Sequence, residues 1–591
     1  MPGTARTPDR EQPWTAREAL LLAAVVAIHL FFALQGLGER WLDGHQGYNG
    51  AHKSLIARNY LRYGPIATGF APVLDADRVE DLGRAEVHWH HPPLLALSVA
   101  ASFAAFGESE AAARVVPIVA GLVSLLLIHS LTRRRYGRWA ALAAAAVFCF
   151  SPVQIIYGKM VNYEPLLTAL VLGSIWMLDR HRGRGGVASL AGVALCLCLA
   201  CLVEWSGFVF AAGVGIEAIA RRPRRPAVFL AVGVASAALL VGVWLWLDSR
   251  SAGQGLEGLA GFRSGQGSSK FTCELLLLKT RTRLGNHFGW IPVLTAAAWI
   301  VYEAARRHRL DATVAVMLGG TAVYFAVFRQ AATIHSYYVY TLAPAVAIAA
   351  GAGIAELTRL TVRGGGIVAD RFAERARFLR YRVSGRLAAP LLPACAVAVA
   401  WGGLTLEHDA ERLAVLDLLS RKVYADPGEP GPPFPRGARL DRTLLGDLIR
   451  RESRTGETVL VHRSIEVVPQ LEYYAARSLR RVARLRPAGR ARLLVAPERR
   501  TPRERQRRLA RDYPVLRACG YLIWDLRGEG PAARQLDAVP SPPGLWWSYW
   551  RSALTPPYRM VERPRKAERY LRNLGVSPSD LDGGRAASYD R

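Results

Sequence analysis

Long apolar blocks alternate with short arginine-rich ones along most of this chain. Runs such as Ala19–Leu34, Val115–Leu131 and Ala227–Leu247 carry almost no charge, and arginines cluster between them. A helix needs ~20 mostly apolar residues to cross a hydrocarbon core ~30 Å thick. The stretches that qualify lie near 17–37, 112–132, 138–156, 164–179, 187–203, 206–220, 226–247, 287–304, 311–328, 338–356 and 387–404. The pattern therefore predicts an α-helical polytopic membrane protein with about eleven transmembrane helices. Pro92–Phe106 is apolar too, but it spans only fifteen residues and opens with Pro-Pro, which predicts an interfacial or re-entrant helix.

The arginines orient this arrangement. Loops Arg133–Arg138, Arg180–Arg184, Arg221–Arg225, Arg306–Arg309 and Arg359–Arg386 together hold 22 arginines. The short turns on the other side, 157–163, 204–205 and 329–337, hold only Lys159 and Arg329. Cytoplasmic loops carry the excess of basic residues. The expected protein thus sits in the cytoplasmic membrane with residues 1–16 inside and its C-terminal part outside. Counting Pro92–Phe106 as a crossing would place Arg133, Arg134 and Arg135 outside, against that bias.

The organisation expected is a membrane domain over 17–404 with an outer loop at 38–111, a Pro/Gly-containing linker at 405–436, an α/β domain at 437–530 and a Pro/Arg-rich tail at 531–591. In the α/β domain, strands are expected at Thr458–His462, Ala491–Ala496 and Tyr521–Trp524. Helices are expected at Leu440–Arg451, Glu466–Arg481 and Pro502–Asp512.

Composition sharpens the class. Of 591 residues 51% are apolar and 21% charged, and the mean hydropathy is +0.13, which excludes a purely soluble, disordered or collagen-like chain. The net charge of +29 matches a protein beside an anionic leaflet. Neither zinc-finger spacing nor a basic region with heptads is present, so no nucleic-acid partner is expected. Five of the seven cysteines (Cys149, Cys196, Cys198, Cys201 and Cys395) fall in apolar runs, so they form no disulfide framework. The first apolar run lacks a small-x-small cleavage site and reads as a retained span.

Candidate chemistry gathers at the outer ends of the spans. The first outer loop is dense in glycine and polar side chains, among them Asp43, His45, Asn49 and Arg58. It ends in His88-Trp89-His90-His91-Pro92-Pro93, where the histidines suit a metal, a phosphate or hydroxyl to be oriented, or a structural turn. Gly158-Lys159, Asn162 and Glu164-Pro165 form a second group. A carboxylate before proline caps a helix well, yet one at a membrane boundary is costly and usually functional. Glu204 poses the same choice at the next outer turn. Arg329, His335, Tyr337 and Tyr338 form a fourth group suited to a lipid phosphate, with an aromatic belt as the plainer reading of the tyrosines.

Taken in order, these motifs resemble the GT-C superfamily of polyprenyl-phosphate-sugar-dependent glycosyltransferases. The likeness is to the branch with the protein O-mannosyltransferases and the lipid A aminoarabinose transferase. It covers roughly residues 17–360 through Ala57-Arg58…Gly64, His91-Pro-Pro-Leu94, Gly158-Lys159…Glu164, and His335, Tyr337, Tyr338 and Pro344. The resemblance implies inverting transfer of a sugar from a polyprenyl-phosphate donor to a hydroxyl on a lipid, glycan or protein. Asp43 and Glu164 are the candidate bases; Arg58, Lys159, Arg329, His335 and Tyr338 are candidates for the phosphate. No cofactor or obligatory metal ion is expected. One departure stands out: the family's Asp-Glu pair, eight and seven residues before the Ala of Ala-Arg, falls here on Asn49 and Gly50. Two other readings stay open: a transporter or flippase of lipid-linked substrates, and a catalytically inactive assembly subunit.

The orientation has a direct test. A reporter active only outside the cytoplasm should work when fused after His408 and fail after Arg182. A cytoplasmic reporter active at the C-terminus would overturn the arrangement.

Overall fold

A computed structural model of the protein describes residues 14–34, 36–38, 40–41, 45–88, 90–220, 231, 233–242, 263–264, 271–375, 441–486, 491–518, 520–538 and 560–562. Asp43, Cys395, Cys519, the expected span at 387–404 and the 405–436 linker lie outside the described residues, as does most of the tail after 538.

The membrane part is helical. It runs through α1 (Ala16–Leu34), α2 (His45–Tyr63), α3 (Leu94–Phe106), α4 (Glu110–Tyr136), α5 (Arg138–Phe150) and α6 (Pro152–Tyr157). Next come α7 (Tyr163–Arg184), α8 (Val187–Val203), α9 (Ser206–Ala220) and a short apolar helix α10 (Gly233–Gly242). They are followed by α11 (Cys273–Phe288), α12 (Trp290–Ala305), α13 (Ala312–Val327), α14 (Arg329–Ile334) and α15 (Ala343–Arg375), the last entered through a 3-10 turn at Ser336–Leu342. Among the described residues three helices are long and apolar enough to cross a membrane, and one bent pair would make a fourth. Six more apolar helices have 10–17 residues.

Three expected elements differ. The stretch 138–156 is not one helix: it breaks at Ser151, whose extended backbone precedes Pro152. A residue before proline is pushed out of the helical region, so the break follows from sequence. The span expected from 287 is preceded by α11, and α11 and α12 meet at 110° around Gly289. Gly289 has φ +76°, a conformation other residues adopt only with strain. The first outer loop contains a long helix: α2 runs for 19 residues and most of its side chains are buried.

Alanine sets the core spacing. Ala140, Ala141, Ala143, Ala144, Ala145 and Ala146 of α5 are buried, and α15 packs tightly on them. A Cβ at Gly351 would lie 2.6 Å from the Ala144 nitrogen, so the two backbones meet as closely as glycine permits. Ion pairs fasten one end of the bundle. Arg133 pairs with Glu18 at 2.5 Å, Arg134 with Asp179 at 2.9 Å and Arg135 with Asp311 at 3.5 Å.

After residue 440 the chain builds a seven-stranded mixed sheet. Its strands are β1 (Thr458–His462), β2 (Ser478–Val482), β3 (Leu493–Pro497), β4 (Val515–Ala518), β5 (Tyr521–Asp525), β6 (Ala533–Ala538) and β7 (Met560–Glu562), in the order β2-β1-β3-β5-β4-β6-β7. The pairs β2–β1, β1–β3 and β4–β6 are parallel and the others antiparallel. Alternation along β1 and β3 gives two apolar faces. Val459, Val461, Leu493 and Val495 pack with α16 (Asp441–Glu452) and α17 (Pro469–Ala475). Leu460, Leu494 and Trp524 pack with α18 (Arg503–Asp512) on the other face. The helix expected over Glu466–Arg481 is only α17: Ala476, at φ +48°, ends it, and 478–482 is the edge strand β2.

The sheet docks on the first outer loop through α17. Tyr473 and Tyr474 join Trp41, Leu55, Ile56, Tyr60 and Phe103 in one apolar cluster. Arg40 pairs with Asp447 at 2.6 Å and lies 3.9 Å from the Tyr474 ring centroid. The Trp41 N–H donates to the Tyr474 hydroxyl at 2.8 Å, and that hydroxyl donates to Glu110 at 2.5 Å. Tyr474→Phe would strand the buried Trp41 N–H, at a cost of about 1–3 kcal/mol. We expect a lower apparent unfolding temperature at fixed scan rate; an unchanged value would show that the hydroxyl does not hold this docking.

Candidate functional site

Five charged or ionisable side chains from distant parts of the chain meet where α2, α7, α8 and the segment before α3 converge. Lys53 comes from α2, His91 from the turn before α3, Glu164 from the first turn of α7, Glu204 from the C-cap of α8 and Arg263 from beyond α10. All but His91 are buried in the strict sense, at 4% exposure for Lys53, 5% for Glu164 and Arg263 and 3% for Glu204. A buried charge is tolerated only when it is paired or hydrogen-bonded.

The pairing is specific. Arg263 donates to Glu204 Oε1 at 3.1 Å and to His91 Nε2 at 2.7 Å. His91 Nδ1 touches the other oxygen of Glu204. Both contacts fit a neutral imidazole with its proton on Nδ1, donating to Glu204 and accepting from Arg263. Burial, with Arg263 and Lys53 adding to it, pushes the His91 imidazolium well below its ordinary range, which agrees with that neutral form. The His91 ring also stacks on Tyr163 at 4.0 Å between centroids.

Lys53 stands differently. Its Nζ lies 3.3 Å from His52 Nδ1 and 4.6 Å from the Tyr163 ring centroid. Burial pushes its ammonium down to about 7; Glu204 and Glu164 oppose the shift and Arg263 adds to it. Glu164 has no ion pair among the described residues, while Lys53, Arg263 and Glu204 act on it electrostatically. One carboxylate is therefore held by its neighbours and the other is left with its oxygens uncommitted to any cation.

The tyrosine-rich turn closes one side. The Tyr338 ring stands edge-on to those of Tyr324 and Tyr337, at 5.2 Å and 5.0 Å between centroids. The His45 ring lies 5.3 Å from that of His335 and 5.5 Å from that of Tyr337. Thus Glu164, Glu204, His91, His45, Asn49, His335, Tyr337 and Tyr338, all singled out from the sequence, do converge. His90 belongs to the rim: its carbonyl accepts from the Trp205 indole at 2.9 Å, and its ring meets His88 at 3.8 Å.

Other candidates lie elsewhere. Arg58 is taken up by Glu108 at 2.6 Å and the Tyr473 carbonyl at 3.0 Å, so it serves the docking of α17 rather than this cluster. Lys159 is buried with Nζ 3.4 Å from the Phe32 carbonyl. Asn162 is the N-cap residue of α7, without a side-chain capping bond. Arg329 reaches Cys273 Sγ at 3.7 Å. Asp43 is outside the described residues. Sequence reasoning missed Lys53 and Arg263. His52-Lys53 sits among polar loop residues and nothing local marks its burial, and Arg263 follows a glycine-rich stretch with no motif. Among the described residues no group of three His, Cys, Asp or Glu is placed to hold a metal ion.

Comparison with known proteins agrees with this architecture. Residues 90–246 match the family model described as dolichyl-phosphate-mannose-protein mannosyltransferase. No curated protein matches the sequence. The fold is similar to that of ArnT from Cupriavidus metallidurans bound to undecaprenyl phosphate, at 16% identity and a TM-score of 0.51, over 79% of this chain and 86% of that one. It also matches the oligosaccharyltransferase AglB from Archaeoglobus fulgidus in complex with an inhibitory peptide and a dolichol-phosphate, at 15% identity and a TM-score of 0.47, over 78% of this chain and 64% of that one. The partial family match over residues 90–246 and the similarity of fold to ArnT agree with the resemblance to GT-C glycosyltransferases read from the sequence motifs.

Proposed function

We propose that the protein transfers a sugar from a polyprenyl-phosphate donor to an acceptor hydroxyl at the outer face of the cytoplasmic membrane, with inversion at the sugar's C1. The observation that carries this reading is the buried cluster of two cations and two carboxylates at the ends of the helices, in which, among the described residues, only one carboxylate is ion-paired. Glu164 accepts the proton of the acceptor hydroxyl as its oxygen bonds to C1. The bond from C1 to the phosphate oxygen breaks with its electron pair leaving on the phosphate. Lys53 and Arg263 stabilise that negative charge, which grows along the reaction and so favours the transition state. Arg263, already fixed by Glu204 and His91, needs no rearrangement to do so. Tyr338 and His335 offer further donors to the phosphate. We propose no obligatory metal ion, because these two cations supply the charge that a divalent ion would. Asp43 is the second candidate base, from the family resemblance.

Two measurements test the reading. Glu164→Gln keeps the shape and removes the charge, so transfer from a lipid-phosphate donor should fall by about 10²–10⁴-fold with the protein still extractable and folded. Asp43→Asn should then be tolerated. Near-normal turnover of Glu164→Gln together with an inactive Asp43→Asn would move the base to Asp43.

The second concerns pH. The ammonium of Lys53 is present below about 7 and lost above it, so kcat/KM, which reports the free enzyme, should decline on the alkaline side of neutrality. Lys53→Arg carries a charge that does not titrate in this range. It should remove that decline, and an unchanged alkaline limb would show that Lys53 is not the group observed.

A further inference from the structure

The sheet after residue 440 carries its charge unevenly. Residues 441–538 contain 22 arginines, no lysine and 12 carboxylates. Residues 477–511 hold 14 of those arginines against only Glu498 and Glu504. At the β3–β6 side of the sheet the arginines are neutralised: Arg492 pairs with Asp525 at 2.8 Å, Arg517 with Glu498 at 2.8 Å, Arg527 with Glu457 at 3.0 Å and Arg534 with Glu452 at 3.2 Å. At the β2 edge and along α18 they are not. Arg480, Arg484, Arg499, Arg503, Arg507 and Arg511 are exposed, and none has an ion pair among the described residues. Arg503, Arg507 and Arg511 follow one another at i, i+4 and i+8, about 6 Å apart along one stripe of the helix. Like charges so spaced destabilise a helix, and contact with an anion would offset that cost.

We infer that the β2 edge and the exposed stripe of α18 form a docking surface for a polyanionic glycan, one bearing carboxylate or phosphate groups. Position favours a solvent-borne partner over the bilayer. α17 carries the side of the sheet that rests on the first outer loop, whereas α18 covers the opposite face. Chemistry favours a glycan over a lipid surface or a nucleic acid. No aromatic or large aliphatic side chain is exposed between 478 and 512, so nothing is there to insert between acyl chains or to stack on bases. What remains is a row of planar forks that match carboxylate and phosphate geometry in pairs. Such a surface raises the local concentration of an anionic polymer beside the membrane part. It does so whether or not the chain transfers sugars, so its test needs no transfer assay.

The experiment uses the full-length protein in detergent with fluorescent polygalacturonate as the probe. Binding should weaken with added salt, and neutral dextran should not bind. Arg503→Gln/Arg507→Gln/Arg511→Gln should weaken it at least tenfold, while the paired-side variant Arg527→Gln/Arg534→Gln stays within twofold. Unfolding temperatures of both variants establish that each is folded, and Arg480→Gln/Arg484→Gln gives an independent test at the β2 edge. Equal affinity of the α18 triple variant and the parent would overturn the proposal. So would tighter binding to anionic phosphatidylglycerol vesicles, or to single-stranded DNA of equal charge, with the same loss in the triple variant; either outcome would assign the surface to that partner instead.

Discussion

The contact among Arg263, Glu204 and His91 is the constraint around which the rest of the site is arranged. A guanidinium taken out of water is tolerated only if its donors are used, and here a carboxylate and a neutral imidazole take them. Arg263 lies 172 positions from His91 and 59 from Glu204 along the chain, and His91 and Glu204 are 113 apart. Their meeting therefore ties the end of α8, the turn before α3 and the segment beyond α10 to a single point. Lys53 and Glu164 inherit their environment from it. With Glu204 engaged by Arg263, the carboxylate of Glu164 stays outside any ion pair among the described residues, and Lys53 sits in a buried setting that weakens its hold on its proton.

A second dependence runs through α2. This helix presents Lys53 and Asn49 to the cluster, while Arg58 faces the sheet. Gly50 allows Trp41 to lie against it, since a Cβ there would fall 2.2 Å from the indole. Tyr473 and Tyr474 close the same apolar cluster from the other side. A polar helix of this composition has little reason to hold its place by itself, so α2 depends on the two elements that enclose it. The sheet after residue 440 is thereby connected to the chemistry without contributing a side chain to it.

Much of this was readable from the sequence, and the failures have physical reasons. Apolar runs marked α1, α4, α8, α9 and α13 because burial in lipid or among helices requires composition more than contacts. The strand Thr458–His462 was legible from its β-branched alternation. β2 was not: its edge position leaves Arg480 and Arg481 exposed, and only the left-handed Ala476 and Arg477 separate it from α17. Glu164 and Glu204 could be singled out because a carboxylate at the end of an apolar run is conspicuous. Lys53 and Arg263 could not, since their significance arises from partners more than a hundred residues away or from a loop without local pattern. The missing Asp-Glu pair at Asn49 and Gly50 also gains a reason in packing. Gly50 must stay small beneath Trp41, which leaves no room there for an acidic side chain.

The three consecutive arginines at the end of α4 bear on how the protein is made. In the finished fold each is matched by a carboxylate, from Glu18, Asp179 and Asp311. Two of those partners lie downstream, and synthesis proceeds from the N-terminus. While α4 is being made, Arg134 and Arg135 are still without Asp179 and Asp311. Once α7 and α13 arrive, the same arginines become fasteners between helices. The packing of this end of the bundle is thus completed only when the later helices are made, and reversing those charges would break three interhelical ion pairs at once.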